Sequence, residues 1–254
     1  MGDPGHASTR GIERNATAGR TAARLYALSA AAAFMTSLGY FAYTYGVRLG
    51  AADGHTVPVV PGLAVNAGLF TAFALHHSLL ARSGARHWVA RHLPDGLERA
   101  TYVWIASILF ALTCAWWQPL AGDLYRADGL ARAICFVLQA AGLVLVVRGG
   151  MVLDLRELAG VRPAAAPRGA GDQPTELRIR GPYRRLRHPL YAGLLLVLLG
   201  ASDMTYGRLS FALLSMAYIV VAIPWEERDM AVRFGEGYER YRAQVPWRLV
   251  PGIY

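Results

Sequence analysis

Long runs of apolar residues, separated by shorter polar stretches, dominate the chain. The first run, residues 25–47, has 23 residues without a charge and is about 34 Å long as a helix at ~1.5 Å per residue. That length is enough to cross a hydrocarbon core of ~30 Å. Five further runs follow, at residues 57–80, 101–120, 133–147, 190–202 and 209–225. The pattern predicts an all-α, polytopic membrane bundle of five to six segments, because the fifth run is too short to span unaided.

Composition supports a membrane class. Apolar residues make up 54% of the 254 residues and charged residues only 17%, whereas a soluble domain carries roughly 25% charge. The two cysteines, Cys114 and Cys135, lie inside apolar runs and lack the spacing of metal ligands. We therefore expect neither a disulfide framework nor a metal site.

The basic residues predict an orientation. All 26 are arginine, and 22 of them lie before the first run, between the second and third, between the fourth and fifth, or after the sixth. The opposite loops hold four: Arg48, Arg126, Arg132 and Arg208. By the positive-inside rule, both termini should be cytoplasmic, in a bacterial cytoplasmic membrane. The net charge of +9 then reflects topology, and nucleic-acid binding is not needed to explain it.

The polar stretches divide the chain into four regions. We predict a disordered cytoplasmic tail (1–22), N-terminal transmembrane helices (23–148), a cytoplasmic linker (149–187) and a membrane hairpin with a C-terminal amphipathic helix (188–254). Within the second region, the Arg/His-rich stretch 81–100 is typical of a short helix lying in the membrane interface.

The last helix is predicted from its spacing. Apolar or aromatic side chains recur after Glu226 at helical intervals, at Met230, Phe234, Tyr238 and Tyr241. This pattern predicts a cytoplasmic amphipathic helix lying near the membrane.

The stretch RIRGPYRRLRHPLYAG (178–193) combines dense positive charge with a histidine at the start of an apolar run. One interpretation is structural: His188 caps a helix, Pro189 takes the first helical position, and the arginines hold that end in the cytoplasm. Similarly, Glu226 and Glu227 after Pro224 could be first-turn acids that the helix dipole favours.

The alternative interpretation is a ligand site. A membrane hairpin returns the chain to the side it left, so His188 and Tyr191 should meet Glu226 and Glu227 at one membrane face. Arginine suits a ligand carboxylate, glutamate suits hydroxyl or amino groups, and aromatic faces attract a sulfonium cation. Those three chemistries together match S-adenosylmethionine (SAM).

Two halves of the chain resemble a known family. The motifs GPYRRLRHPLYAG and PWEERDMAVRFGEGYERYRAQVPWRLVP resemble the C-terminal signature of membrane methyltransferases related to isoprenylcysteine carboxyl methyltransferase and the phospholipid methyltransferases. The upstream stretch FALHHSLLARSGARHWVARHLPDGLERATYVWIASILFALTCAWWQPL is similar to the NnrU/MddA group, whose best-known activity is that of a methanethiol S-methyltransferase. The resemblance covers most of residues 25–251.

The resemblance implies residues for the cofactor. Those that match the family's SAM site are Arg187, His188, Tyr191, Gly193, Glu226, Glu227, Tyr238 and Tyr241. Those expected to shape the approach to it are Gly181, Pro182 and Tyr183. For Gly193, close packing between helices is the structural alternative.

The methyl acceptor has its own candidate residues. His76, His77 and Ser78 close the second apolar run, and Glu98, Arg99 and Tyr102 begin the third. Adjacent histidines on a helix point in different directions, so only one of the two can face a site. That histidine could accept the proton of a thiol, since the thiolate is the nucleophile. The alternative is that both are interfacial histidines beside Arg82.

The expected reaction is direct in-line methyl transfer from SAM to a small thiol, most simply methanethiol to dimethyl sulfide, with S-adenosylhomocysteine as the other product. Orientation in a water-poor cavity would supply the catalysis. Two alternatives stay open: a methyltransferase acting on a lipid (an isoprenylcysteine carboxylate, a phospholipid or a prenyl lipid), and a non-enzymatic membrane protein of the NnrU kind.

Overall fold

The structure is a computed structural model that describes residues 5–51, 56–81, 91–93, 97–153 and 177–254, with the side chains of 5–16 and 80–81 left aside. Within these ranges the elements are α1 (Gly5–Tyr43), α2 (Val59–Ala81), α3 (Glu98–Trp116), β1 (Asp123–Arg126), α4 (Gly129–Gly150), α5 (Pro189–Leu199), β2 (Asp203–Thr205), α6 (Tyr206–Phe234) and α7 (Glu236–Gln244). Most of the predicted interfacial helix (81–100) and of the predicted linker (149–187) lies outside the described residues.

Five helices are long and apolar enough to cross a membrane, namely α1, α2, α3, α4 and α6. Helix α5 has 11 residues, about 16 Å at 1.5 Å per residue, and is too short to cross alone. Large apolar side chains on the outer surface remain exposed, for example Leu130 at 78% and Val137 at 67% on α4. A lipid bilayer would cover such a surface, so the prediction of a helical membrane bundle is confirmed.

Helix α1 begins earlier than predicted. Its first residue is Gly5, so residues 5–22 are helical where the sequence led us to expect a disordered tail. These residues contain no proline to stop a helix, so a helix nucleated in the membrane can extend through them.

Helix α6 also continues further than predicted. It runs through Pro224 to Phe234, so Glu226 and Glu227 lie inside a helix and the interpretation of them as first-turn acids is wrong. Gly235, with a φ of 53°, then breaks the predicted C-terminal amphipathic helix into two parts. Residues with a side chain rarely adopt this φ, and α7 begins immediately after it.

The arginine-poor side of the bundle is closed by hydrogen bonds to helix ends. The buried guanidinium of Arg208 donates to the carbonyl oxygens of Tyr45, Gly46 and Asp203 at 2.9, 2.7 and 2.6 Å. Arg48 donates to Ala115 O and Trp117 O, at the end of α3, at 3.0 and 2.7 Å. Carbonyls at a helix end lack intrahelical donors, so both arginines satisfy groups that would otherwise be costly to bury.

The other two arginines on this side are paired with carboxylates. Arg126 contacts Asp123 at 2.7 Å, and Arg132 contacts Asp203 at 3.6 Å. These residues lie in or beside the antiparallel β1–β2 pair, which joins the α3–α4 connection to the α5–α6 connection. Each of the four arginines that depart from the charge pattern therefore has a local structural role.

Helices α4 and α5 pack closely through two glycines. A Cβ at Gly193 would lie 2.6 Å from the carbonyl oxygen of Gly142, and a Cβ at Gly142 would lie 2.6 Å from that of Gly193. Real Cβ atoms do not approach a backbone so closely, and small residues are what allow such contact between membrane helices. The structure supports the packing alternative for Gly193, because α4 fills the space beside its Cα, and its assignment to the cofactor site stays a prediction.

This contact predicts the effect of single methyl groups. Gly142→Ala and Gly193→Ala should each destabilise the protein by about 1–3 kcal/mol, the usual cost of overpacking, because α4 and α5 must separate. Thermal unfolding in detergent, without any ligand, measures the effect. The matched control is Gly68→Ala in α2, where an added Cβ meets nothing within 4 Å. Equal unfolding temperatures for all three variants would contradict the account of this contact.

Candidate active site

The start of α5 and the middle of α6 meet on the arginine-rich side of the bundle. His188 occupies the N-cap position of α5, and Pro189 is the first helical residue. The His188 side chain makes no capping bond; its Nε2 instead lies 3.2 Å from Glu227 Oε1. The two ends of the hairpin are therefore in contact, as predicted. Helix capping does not explain why a histidine occupies this position.

Glu227 is the centre of a buried ionic network. Its Oε1 accepts a hydrogen bond from Arg187 Nε at 2.6 Å, and its Oε2 accepts two from Arg248, from Nη2 at 2.9 Å and from Nε at 3.1 Å. The side chains of Glu227 and Arg187 are only 5% and 7% exposed. Removal of such a carboxylate from water is costly unless its oxygens are fully hydrogen-bonded, and here both are.

The C-terminal segment holds this network in place. The backbone amides of Arg187 and His188 donate to the carbonyls of Trp247 and Arg248 at 2.9 and 3.0 Å. The Arg248 guanidinium lies over the Tyr254 ring, 5.0 Å from its centroid, and donates to the Tyr254 hydroxyl at 3.1 Å. Hydrogen bonding to Glu227 raises the pKa of Arg248, so this cation is permanent at any working pH.

Glu226 forms the open half of the site. Its side chain is 46% exposed, and it accepts a hydrogen bond from the Tyr191 hydroxyl at 2.9 Å. The His188 ring is stacked on the Tyr191 ring with centroids 5.6 Å apart and an interplanar angle of 11°. The two adjacent glutamates thus differ in function. Glu227 makes its hydrogen bonds within the protein, whereas Glu226 remains accessible beside the two aromatic rings.

Tyr238 and Tyr241 lie in a buried cluster behind the network. They are 2% and 4% exposed and pack with Val245, and Tyr241 donates to the carbonyl of Tyr183 at 2.8 Å. Burial raises the pKa of Tyr238 and of Tyr241 well above the ordinary phenol value, and the charge of Glu227 raises both further. Both phenols are neutral, and their burial favours packing over direct contact with a ligand.

The turn Gly181–Arg184 leads into the site. Gly181 has a φ of 55°, a left-handed conformation that favours glycine, and Pro182 follows it. Burial raises the pKa of Tyr183 to about 12, and the charge of Glu226 contributes to the shift. We expected this motif to shape the approach to the cofactor site. A turn that is held by the hydrogen bond from Tyr241 fits that role.

A second polar cluster lies where α2, α3 and α6 meet. The Tyr102 hydroxyl lies 2.9 Å from His77 Nδ1, and Ser78 Oγ lies 3.1 Å from the Tyr218 hydroxyl. The Tyr218 ring meets the His77 ring edge to face at 6.4 Å. The acceptor-side residues singled out from the sequence are therefore brought together, and Tyr218 of α6 joins them.

The other acceptor candidates are placed differently. His76 stacks on Tyr102 with centroids 5.8 Å apart, and neither of its buried ring nitrogens has a hydrogen-bond partner. The Arg99 guanidinium lies 5.9 Å from the Tyr102 ring centroid. Glu98 begins α3 as a first-turn acid, where a helix dipole stabilises a carboxylate.

The two clusters are neighbours. Tyr191 and Tyr218 both pack against one buried apolar cluster, which includes Ile219 and Ile223 of α6, and Tyr191 is close enough to Tyr218 and Tyr102 to interact with them electrostatically. Tyr191 therefore faces both the exposed carboxylate of Glu226 and the polar groups around His77.

Two residues of these clusters were missed by sequence reasoning. Arg248 lay within a quoted motif but had no assigned function, and Tyr218 lay inside an apolar run. The only sequence signal for Arg248 was a charged residue between Trp247 and Leu249, in an otherwise apolar segment. A charge in such a segment needs a partner of opposite charge, and in the structure that partner is Glu227.

Comparisons with known proteins agree with these motifs. The chain is 34% identical over 239 residues to Methanethiol S-methyltransferase 2 of Bradyrhizobium diazoefficiens, which covers 92% of each chain. It is 36% identical over 198 residues to Methanethiol S-methyltransferase of Crocosphaera subtropica, 77% of each chain. It is also 29% identical over 181 residues to Nurim of Sus scrofa, 66% of this chain and 68% of that protein. Neither a family model nor a solved structure matches.

The ionic network predicts different effects for two similar substitutions. Glu227→Gln should destabilise the protein by about 3 kcal/mol, because it leaves two arginines at a buried site without their counter-charge. Glu239→Gln is the control, since Glu239 forms an exposed pair with Arg242 at 3.2 Å, and such pairs contribute about 0–1 kcal/mol. Thermal unfolding in detergent compares them. Equal stabilities would show that the network is not structural.

Proposed function

Since the chain belongs to the family of the methanethiol S-methyltransferases and is a methyltransferase, we propose that it methylates a small thiol with SAM, converting methanethiol to dimethyl sulfide. The main support for this proposal is that His188, Tyr191 and Glu226 contact one another beside the cluster of His77, Ser78, Tyr102 and Tyr218. When bound, SAM supplies an electrophilic sulfonium methyl group, which the thiol sulfur attacks directly in line as S-adenosylhomocysteine leaves.

The exposed half of the first cluster suits this cofactor. The Glu226 carboxylate can accept hydrogen bonds from ribose hydroxyls or pair with an ammonium group, and it is 46% exposed. The parallel rings of His188 and Tyr191 provide an aromatic face beside that carboxylate, which would attract a sulfonium cation. The chemistry of these groups therefore fits SAM.

Arg187 has two functions in this proposal: it binds groups of the protein, and it is a donor for the ligand. Its Nε binds Glu227 and its Nη1 binds the carbonyls of Val245 and Pro246, both at 2.7 Å. The same guanidinium borders an open depression together with Arg242. Nη2 is the donor left to bind a ligand carboxylate, while Glu227 and Arg248 hold the group rigid.

The interior beside His77 favours a small acceptor. Aromatic rings in contact at centroid distances of 5.1–5.6 Å extend from His77 into the bundle through Phe73, Phe110 and Phe41. Phe41 in turn contacts Phe211 at 5.2 Å. A core filled in this way opposes a lipid whose chain would enter the same space, whereas a small apolar thiol needs little room beside His77. Methanethiol is itself apolar and can arrive through the bilayer.

We also propose that both termini and the site face the cytoplasm. The 22 arginines on one side support this orientation by the positive-inside rule. The four on the other side each have a local partner, in carbonyl groups for Arg48 and Arg208 and in carboxylates for Arg126 and Arg132. Hydrogen bonding to these partners explains why the four arginines lie on that side, so they do not weaken the argument from charge asymmetry. A cytoplasmic site also has direct access to SAM.

The proposal predicts a volatile product. Protein purified in detergent and given SAM and methanethiol should release dimethyl sulfide, detected by gas chromatography, with S-adenosylhomocysteine formed in equal amount. Tyr191→Phe should lower kcat/KM by about tenfold, the value of one hydrogen bond to a charged group. Tyr26→Phe is the control, because Tyr26 bonds Thr101 at 3.2 Å on the exposed surface.

Two results would contradict the proposal. Methylation of a prenylated cysteine or a phospholipid, with methanethiol and other small thiols left unchanged, would replace the thiol by a lipid acceptor. Absence of any binding of SAM or S-adenosylhomocysteine would favour a non-enzymatic membrane protein.

A further inference from the structure

The Tyr102 hydroxyl makes two contacts with one residue. It lies 2.9 Å from His77 Nδ1 and 3.3 Å from the backbone carbonyl oxygen of His77. A phenol has a single proton to donate, and a carbonyl oxygen can only accept. Both contacts are satisfied together only when the hydroxyl donates to the carbonyl and accepts from a protonated Nδ1.

This arrangement determines the tautomer of the neutral imidazole. With the proton on Nδ1, the lone pair is on Nε2. In the described part of the chain no hydrogen bond engages Nε2 of His77, whereas Nδ1 is bonded to Tyr102. Nε2 is therefore available to accept a proton from a ligand.

The surroundings of His77 are those of a substrate site. The charged and titratable groups that face it are His76 on the same helix, Arg99 and Tyr102 on α3, and Tyr218 on α6. The apolar ring of Phe73 also contacts the His77 ring, with centroids 5.6 Å apart. A small apolar thiol would find one basic nitrogen among aromatic faces there.

The geometry also separates the two adjacent histidines. His77 contacts Tyr218, and Tyr218 and Tyr191 pack against the same buried cluster, so a chain of contacts connects His77 to the candidate cofactor cluster. His76 instead lies flat against Tyr102 with an interplanar angle of 8°, and its ring nitrogens are enclosed. Of the two, His77 is the histidine that contacts α6, through Tyr218, and its Nδ1 is the nitrogen bonded to Tyr102.

We propose that Nε2 of His77 removes the proton of the acceptor thiol and that Tyr102 is the positioning residue that holds His77 in the required tautomer. The inference rests on the proposed function. The S–H bond breaks and its proton goes to Nε2, while the sulfur electron pair forms the new S–C bond. The bond from the methyl carbon to the sulfonium sulfur breaks, and its electron pair stays on the leaving thioether. The imidazolium then returns its proton to solvent.

The first test is a pH profile of kcat/KM for methanethiol between about pH 6.5 and pH 9.5, a range below the pKa of an alkanethiol, which is higher than the cysteine value of about 8.5. Without a base the enzyme must use thiolate from solution, whose fraction rises about tenfold per pH unit below that pKa. His77→Gln should therefore lose about 100-fold at pH 7, the usual contribution of a general base, and recover most of it at high pH. Tyr102→Phe should show the same trend with about a tenfold loss.

Control variants separate this proton transfer from a structural effect. Tyr26→Phe, which removes an exposed hydroxyl that contacts α3, should keep the wild-type profile. All variants should bind S-adenosylhomocysteine with wild-type affinity in calorimetry, since the cofactor cluster is unchanged. If His76→Gln rather than His77→Gln gives the thiolate-dependent profile, the assignment to His77 is wrong. If His77→Gln keeps the wild-type profile, there is no protein base at this position.

The second test does not depend on activity. In protein with ¹⁵N-labelled histidine, NMR should detect one neutral imidazole with its proton on Nδ1, and its signals should vanish in His77→Gln and change tautomer in Tyr102→Phe. An Nε2-protonated His77 would overturn the inference even if dimethyl sulfide is formed. Observation of the Nδ1-protonated form in a protein that methylates no thiol would instead refute the proposed function and, with it, the role of His77 as a base.

Discussion

A buried negative charge organises this protein. Glu227 lies among Arg187, His188 and Arg248 with its side chain 5% exposed, and a carboxylate in such a place must have all its hydrogen bonds made within the protein. Glu227 belongs to α6, and two other parts of the chain supply them: the approach to α5, with Arg187 and His188, and the C-terminal segment, with Arg248. The need to compensate one charge thus fixes where these segments meet, and the exposed cluster around Glu226 is built on that junction.

The division between adjacent glutamates follows from helix geometry. Successive residues on an α-helix point about 100° apart, so Glu227 can face the interior while Glu226 faces the opening. Pro224 does not end the helix, and this is what keeps both side chains on one rigid element. The rigid back of the site, formed by Glu227 and Arg248, can hold His188 without motion while Glu226 and Tyr191 remain free to contact a ligand. A preorganised site of this kind lowers the cost of orienting reactants.

Much of the fold could be predicted from the sequence, because length and hydrophobicity are local properties. The apolar runs predicted the spanning helices and the shortness of α5, and the hairpin argument predicted that His188 meets Glu227. Two features depended on tertiary contacts, namely the continuation of α6 past Pro224 and the packing of Gly193 against Gly142, whereas the start of α1 at Gly5 is a local feature of a stretch without proline. The partnership of Arg248 with Glu227 joins residues 21 positions apart across a helix end, and no spacing rule connects them. Likewise, that His77 and not His76 faces α6 depends on the rotation of α2 within the bundle.

The most direct test of the account is calorimetric titration of S-adenosylhomocysteine into detergent-purified protein with and without Glu226→Gln. We expect the wild-type protein to bind S-adenosylhomocysteine and Glu226→Gln to weaken this binding about tenfold or more, the effect of one charged hydrogen bond of about 1.5 kcal/mol, with thermal stability unchanged. Wild-type affinity in the Glu226→Gln variant would contradict the account, because the exposed carboxylate beside Tyr191 would then have no contact with the cofactor.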